Sequence, residues 1–288
     1  MFYQVKKATL LFYSCKLCSF SDRRYNMRVV IQQDYAKMSQ WCANYIAKKL
    51  QNQANGSFVM GISAGSSPLG TYKDLGKINR SGNCQFKNVV TFTAAEYVGL
   101  EGQCPQSSQW YMKEKFFNLL SDIQQSNINM LDGMATDLEK ECSTYEAKIK
   151  SCGGLDLFLG AIGVNGRMAL NEPFTSLSSR TGMRYLSSMT RIIDARFFDN
   201  KPSLVPARGL SIGIGTIMES REIILLANGE AKARALKAAV EGPVSSRCPC
   251  SVIQMHNNAL VVCDDEACAE LESSTYAYFR DLEGSERL

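Results

Sequence analysis

The sequence predicts an α/β fold, in which helices cover both faces of an open, mostly parallel sheet (a Rossmann-like αβα sandwich). Short apolar segments alternate along the chain with longer segments whose apolar residues recur at helical spacing. The apolar segments are continuous and do not alternate with polar residues, which is typical of strands buried on both faces. No repeat or linker divides this pattern, so one domain accounts for it.

The predicted strands follow one another in regular order. They are MRVVIQ (27–32), SFVMGI (57–62), NVVTF (88–92), INML (128–131), LDLFLGAIG (155–163), GLSIGIG (209–215), EIILLA (222–227) and ALVVCD (259–264). Helical spacing of apolar residues predicts helices over 34–51, 68–75, 107–120, 137–150 and 231–240. The fourth helix opens with Asp-Leu-Glu, which suits the positive end of a helix dipole. The long stretch from 164 to 208 is predicted to be irregular.

Charge is distributed unevenly along the chain. Residues 1–26 contain five Lys or Arg and one Asp, while the remaining 262 residues contain 27 basic and 27 acidic side chains. A neutral body argues against nucleic acid as a partner, because binding to phosphate backbones needs a basic face. No apolar run reaches the roughly 18 residues that a membrane span needs, so we expect no membrane association.

We therefore divide the chain into a basic extension, residues 1–26, and a single α/β domain, residues 27–288. The extension is expected to be disordered, or to result from a start upstream of Met27. Its basic composition and short apolar core are shared by mitochondrial transit peptides, which stay an alternative. For the body we expect a cytoplasmic location.

The eleven cysteines do not predict a metal site. Cys15 and Cys18 form a CxxC pair and Cys248 and Cys250 a CxC pair, but His256 is the only histidine. A structural zinc site needs four ligands at suitable spacing. We expect reduced thiols and no metal.

The segment GISAGSSP (61–68) contains a serine in a G-x-S-x-G pattern. Such a turn can present a nucleophile, here Ser63, with an aspartate and His256 completing a triad in the order found in α/β-hydrolases. Only one predicted strand precedes it, whereas the nucleophile of that fold follows several strands. A short pattern of this kind also arises by chance, so this interpretation is the weaker one.

The same segment fits an anion-binding loop better. Gly65 permits a tight turn, Ser66 and Ser67 offer hydroxyl groups, and Pro68 suits the first position of a helix. Backbone amides at the start of that helix would face a phosphate.

Five further segments, together with this loop, give the sequence its family resemblance. They are VTFTAAEYVGL (90–100), GAIGVNGRMALNEP (160–173), SLSSRT (176–181), ARFFDN (195–200) and AAVEG (238–242). Together they resemble the glucosamine-6-phosphate deaminase/isomerase family, from Met27 to about Leu282. The resemblance implies conversion of glucosamine 6-phosphate to fructose 6-phosphate and ammonia without metal or organic cofactor. It also implies a cytosolic homo-oligomer, often a hexamer.

The resemblance places a phosphate site on five residues, which are Gly65, Ser66, Ser67, Arg196 and Lys232. The first three belong to the loop, the arginine to ARFFDN, and the lysine to the start of a helix after EIILLA. A guanidinium group matches phosphate oxygens with two parallel hydrogen bonds, and a lysine adds a compact charge. Without this context, both basic residues would be interpreted as solvated surface charges.

The resemblance does not extend to the acid and base groups. The family's proton-shuttling aspartate is replaced by Ala95, and an aspartate and a histidine that assist ring opening are replaced by Asn165 and Arg167. Alanine cannot titrate, and an arginine does not accept a proton at working pH. Glu172 is retained, either as a sugar contact or as a charge partner of Arg167.

We therefore expect a degenerate family member that binds a sugar phosphate but is catalytically impaired, as a homo-oligomer or as a subunit beside an active paralogue. The alternative is an active glucosamine-6-phosphate deaminase that uses Glu96 or Glu172 as base. Glu96 is adjacent to Ala95 and would point to the other side of a strand. We class the family's activity with the hydrolases, and a hydrolase or lactonase acting on another sugar phosphate is a weaker alternative without a specific residue.

Overall fold

The computed structural model describes residues 27–52 and 56–285, with side chains to residue 282. Its ten strands are β1 (Arg28–Gln32), β2 (Phe58–Ile62), β3 (Val89–Thr93), β4 (Ala95–Tyr97), β5 (Ile128–Asn129), β6 (Leu157–Ala161), β7 (Gly182–Tyr185), β8 (Arg208–Ser211), β9 (Ile223–Ala227) and β10 (Ala259–Asp264). Seven of them form a parallel sheet in the order β1-β10-β9-β6-β2-β3-β5. The predicted fold class is confirmed.

Helices cover both faces of this sheet. They are α1 (Tyr35–Asn52), α2 (Leu69–Arg80), α3 (Ser108–Lys115), α4 (Leu138–Ser151), α5 (Ser188–Asp194), α6 (Ile214–Met218), α7 (Ala233–Val240) and α8 (Ser273–Ser285). One apolar cluster joins one face of the sheet to α1, α2 and α3, and another joins the opposite face to α4, α6, α7 and α8. Successive strand residues belong to opposite clusters, as Ile224 and Leu225 do, because side chains alternate across a strand. Continuous apolar strands follow from this burial on both faces.

A second, antiparallel sheet lies beyond the carboxyl ends of the main strands, in the order β4-β8-β7. The prediction that GLSIGIG continues the parallel sheet is wrong, because β8 ends at Ser211 and pairs antiparallel with β4 and β7, and α6 begins at Ile214. The stretch 164–208, predicted to be irregular, contains β7 and α5. Sequence periodicity misses such short strands, and β4 is separated from β3 by Ala94 alone.

Two predicted helices have different bounds. The helix predicted over 107–120 is α-helical only over Ser108–Lys115, because Phe116 has a non-helical backbone (φ −138°, ψ −62°) and a 3-10 turn follows. The helix predicted over 68–75 continues to Arg80, where α2 ends.

The carboxylate of Glu96 joins β4 to the start of α3. Glu96 is 1% exposed and accepts hydrogen bonds from the backbone N–H groups of Tyr97 (2.7 Å), Ser108 (3.0 Å) and Gln109 (2.9 Å), and from the hydroxyl of Ser107 (3.0 Å). Burial raises the pKa of Glu96, and these hydrogen bonds oppose the rise. The carboxylate therefore supplies acceptors that the first turn of α3 lacks.

Some of the expectations concern the first 26 residues, membrane spans and metal ligands. Residues 1–26, with Cys15 and Cys18, lie outside the described residues, and the division into an extension and one domain stays a prediction. Among the residues described, no helix is long and apolar enough to cross a membrane. The described side chains also contain no group of three or more His, Cys, Asp or Glu arranged to hold a metal ion.

Replacing Glu96 with alanine should lower the free energy of unfolding by about 3 kcal/mol, because buried donors at the start of α3 lose a charged acceptor. Urea denaturation of wild type and variant measures the difference. Glu101→Ala, at an exposed site of the following loop, is the matched control and should change stability by less than about 0.5 kcal/mol. Equal stability of the two variants would contradict the capping role.

Candidate functional site

A pocket opens at the carboxyl ends of β2, β3 and β6, beneath β4. Ligands of open α/β sheets bind at this edge because loops from several strands converge there. The lining residues are Ser63, Ala64, Gly65, Ala94, Ala95, Tyr97, Pro105, Gln106, Ser107, Ser108, Tyr111, Arg167, Ala169, Leu170, Asp194, Arg196 and Phe197. Four of the nine predicted site residues are among them: Gly65, Ala95, Arg167 and Arg196.

The loop between β2 and α2 contains backbone amides without a hydrogen-bond acceptor in the described part of the chain. Within residues 27–52 and 56–285, no acceptor binds the N–H groups of residues 64–67. The carbonyl groups of Gly65 and Ser66 accept hydrogen bonds from Tyr111 (2.7 Å) and Tyr35 (2.9 Å), which fix the loop from the other side. Gly65 has a φ of 151°, which favours glycine. Consecutive free amides before a helix form an anion-binding concavity.

The side chains of Ser66 and Ser67 do not line the pocket. Ser66 is exposed, whereas Ser67 is 3% exposed. Contact of their hydroxyl groups with a phosphate therefore stays a prediction.

Two of the predicted basic residues lie near this loop. Arg196 is exposed, its guanidinium stacks on the ring of Phe197 at 4.7 Å, and it forms no ion pair with the described residues. Lys232 lies outside the lining, and its Nζ donates to the carbonyl oxygen of Ile162 at 2.7 Å. Burial, together with the nearby charges of Arg167 and Arg196, lowers the pKa of Lys232 to about 8. The three cations therefore lie close enough to repel one another, which favours an anion between them.

Arg167 forms an ion pair with Asp194 inside the pocket. Its Nη2 atom is 3.0 and 3.1 Å from the two carboxylate oxygens of Asp194. The hydroxyl of Tyr97 donates to the same carboxylate at 2.9 Å. Burial and the neighbouring Asp194 raise the pKa of Tyr97 well above its ordinary value, so the hydroxyl keeps its proton. Asp194 is 3% exposed, and among the described lining residues it is the only acidic one.

Glu172 and Asn165 lie behind Arg167, outside the pocket lining. The Nη1 atom of Arg167 is 3.7 Å from Oε1 of Glu172. The two side chains therefore form the charge pair that was one of the two alternatives for Glu172. Asn165 donates to Oε2 of Glu172 at 3.2 Å, and Ser187 donates to the same oxygen at 3.1 Å. These contacts direct the Glu172 carboxylate toward protein groups.

Ala95 and Glu96 lie on opposite sides of β4. Ala95 lines the pocket, as does Tyr97 two residues later, whereas Glu96 faces α3 and does not line it. The structure therefore does not bring Glu96 to the place where a substrate would bind.

The structure separates Ser63 from His256. Ser63 follows β2 at the carboxyl edge of the sheet, whereas His256 precedes β10 at the opposite edge. His256 bonds the carbonyl oxygen of Ser220 at 2.8 Å and accepts from the N–H of Asn258 at 3.1 Å. No serine triad can form between these residues.

Sequence reasoning missed Asp194 and Tyr97. Asp194 directly precedes the ARFFDN segment and is two residues from Arg196, and Tyr97 is two residues from Ala95 on the same strand. Both spacings were available in the sequence. The contact between the two side chains, however, joins residues 97 positions apart.

Known proteins match this chain over most of its length. Residues 33–262 match the model of a family described as glucosamine-6-phosphate isomerases/6-phosphogluconolactonase. A glucosamine-6-phosphate deaminase of Bacteroides fragilis is 48% identical over 261 residues, covering 89% of this chain and 96% of that protein. One from Treponema denticola is 46% identical over 260 residues, with the same coverage.

Two solved structures are similar to this chain in fold. A monomeric glucosamine-6-phosphate deaminase superimposes with a TM-score of 0.81 at 36% identity, covering 85% of this chain and 100% of that one. A 6-phosphogluconolactonase of Thermotoga maritima superimposes with a TM-score of 0.66 at 15% identity, covering 83% of this chain and 100% of that one. The second likeness shows the fold alone.

The classification as a hydrolase is wrong. Relatives that align along most of the chain are named deaminases, and the lactonases are too distant in sequence to show an activity. The geometry agrees, because Ser63 has no histidine beside it. The chain belongs to the glucosamine-6-phosphate isomerase/6-phosphogluconolactonase family.

Proposed function

We propose that this protein binds glucosamine 6-phosphate in the pocket beneath β4 and converts it to fructose 6-phosphate and ammonia. The main support is one observation: a loop whose amides have no acceptor within the described chain, an arginine with no ion pair there, and a buried carboxylate meet at a single pocket. Relatives that carry the name glucosamine-6-phosphate deaminase support the choice of substrate.

The phosphate would bind between the loop and the basic residues. Amides of residues 64–67 supply hydrogen bonds, and Arg196 can approach the same anion because it has no acidic partner among the described residues. Lys232 adds a charge from the start of α7. Charge-assisted hydrogen bonds of this kind are about twice as strong as neutral ones.

The sugar would then extend toward Ala95, Tyr97 and Asp194. Isomerisation requires a proton to leave C2 and to arrive at C1, and loss of the amine follows. Asp194 is the group in the described lining that can carry this proton, because it is the one carboxylate there and Tyr97 keeps its own proton.

A second candidate function is binding of the sugar phosphate without turnover. One reason is that Ala95, Asn165 and Arg167 stand at the positions where the resemblance implies acid and base groups. A second reason is that Arg167 forms an ion pair with Asp194, so that carboxylate already has a partner. Such a protein would act as a sensor, or as a subunit beside an active paralogue.

The remaining expectations extend this proposal. Independence from metal and cofactor, a cytoplasmic location and a homo-oligomer stay predictions. The related solved deaminase is described as monomeric, so the hexamer that the resemblance implies needs its own test.

Incubation with glucosamine 6-phosphate should release ammonia and fructose 6-phosphate in equal amounts. We expect a turnover number below the enzyme median of about 10 per second, because a positioned acid or base is typically worth about a hundred- to ten-thousandfold in rate. Coupled assays for both products measure it. Binding without either product would replace the proposal with the second candidate.

Arg196→Ala should weaken binding of fructose 6-phosphate at least about tenfold, because the phosphate loses a charged donor. Isothermal titration calorimetry measures the dissociation constant. Arg234→Ala, on α7 but outside the pocket lining, serves as the control and should bind like wild type. If both variants bind fructose 6-phosphate as tightly as wild type, the proposed contact between Arg196 and the phosphate is wrong.

Binding of fructose 6-phosphate should weaken as the pH rises from 7 to 9.5. The pKa of Lys232 is lowered to about 8, so this range removes its positive charge while the phosphate stays dianionic. This ligand is chosen because it lacks an amine that would titrate in the same range.

Calorimetry at several pH values compares wild type with Lys232→Met. The variant should bind more weakly at pH 7 and show a flatter pH dependence, since it has no amine to deprotonate. A wild-type affinity that does not change over this range would argue against contact between Lys232 and the phosphate.

A further inference from the structure

We propose that Asp194 is the catalytic carboxylate of this pocket and carries the proton between C2 and C1 of the open-chain sugar. This role rests on the proposed function and assigns its central step to a residue that does not occupy the position of the implied proton shuttle. That position is Ala95, on the same pocket wall.

The first argument is placement. Glu96 faces α3, where four donors occupy its carboxylate, and Glu172 lies behind Arg167, bound to Asn165 and Ser187. Neither lines the pocket, whereas Asp194 does.

The second argument is orientation. Tyr97 lies on the same side of β4 as Ala95, and its hydroxyl donates to Oδ2 of Asp194 at 2.9 Å. This bond holds the Asp194 carboxylate at the same wall of the pocket as Ala95, which has no titratable group. Asp194 is also two residues from Arg196 at the end of α5, so one short segment would hold both the proton carrier and a phosphate ligand.

The proposed step balances with one water molecule. Asp194 takes the proton from C2 while water protonates O1, which gives an enol with the amine on C2. Asp194 then returns the proton to C1, and the nitrogen lone pair forms a C2=N bond. The hydroxide left from the water adds to C2, ammonia leaves, and fructose 6-phosphate remains with Asp194 ionised. No oxidant or reductant is required.

Arg167 affects this step in two ways. Its guanidinium is bonded to both Asp194 oxygens, and these bonds have to loosen before the carboxylate can take the proton from C2, which slows abstraction. The same charge stabilises negative charge that develops on O1 during enolisation. We therefore expect a working but slow enzyme.

The competing explanation is that Asp194 only balances the charge of Arg167. Substituting Asp194 in a background without that charge separates the two roles. The four proteins are wild type, Asp194→Asn, Arg167→Gln and the double variant. Asp199→Asn, at an exposed aspartate five residues along the chain, is the control and should keep wild-type activity.

Turnover of glucosamine 6-phosphate and exchange of the C1 protons of fructose 6-phosphate with D₂O in the presence of ammonium are the readouts. Calorimetry with fructose 6-phosphate checks that each variant still folds and binds. We expect Asp194→Asn to lose at least about a hundredfold in turnover and in exchange, with the dissociation constant changed less than about threefold. The double variant should be slower than Arg167→Gln by a similar factor.

Other results would overturn the assignment. If the double variant is as fast as Arg167→Gln, Asp194 serves only to balance charge. If Asp194→Asn keeps turnover, the proton carrier is another group while the deaminase activity stands. If wild type binds fructose 6-phosphate but shows neither turnover nor exchange, the proposed activity fails together with this role.

Discussion

The ion pair between Arg167 and Asp194 connects the parts of the candidate site. Arg167 follows β6, Asp194 ends α5, and Tyr97 joins them from β4. Removing Arg167 would leave the buried charge of Asp194 without its ion-pair partner, which is far more costly than removing both side chains. The pocket wall therefore depends on these three side chains together, and any catalytic role of Asp194 has to operate within that constraint.

The charges of the site explain its bias toward anions. Arg167 is compensated by Asp194 and by Glu172, whereas Arg196 has no acidic partner among the described residues. Lys232 is bonded to a neutral carbonyl group, and its lowered pKa reports the cost of holding a cation at this place. A dianionic phosphate reduces that cost. The proposed phosphate binding therefore depends on local electrostatics, independently of whether the protein turns its ligand over.

Binding and turnover make different demands on the pocket. Several amides and charges share the binding of an anion, so the loss of one of them weakens binding only in part. A proton transfer depends on one group within hydrogen-bond reach of one carbon atom. In this pocket Asp194 is the one carboxylate of the described lining, so the proposed reaction depends on that side chain more strongly than the proposed binding does.

The sequence by itself determined the parallel sheet, because continuous apolar strands between amphipathic helices can bury both faces in few other ways. It also predicted a turn with unbonded amides between β2 and α2, since glycine, serine and proline act through local backbone geometry. It did not determine β4, β7 or β8 as a separate sheet, because short strands take their pairing from distant partners. Only the tertiary structure turned Glu96 toward α3 and brought Asp194 to Tyr97 and Arg167. Those contacts span 97 and 27 positions along the chain, and no local spacing encodes which side chains meet once the chain has folded.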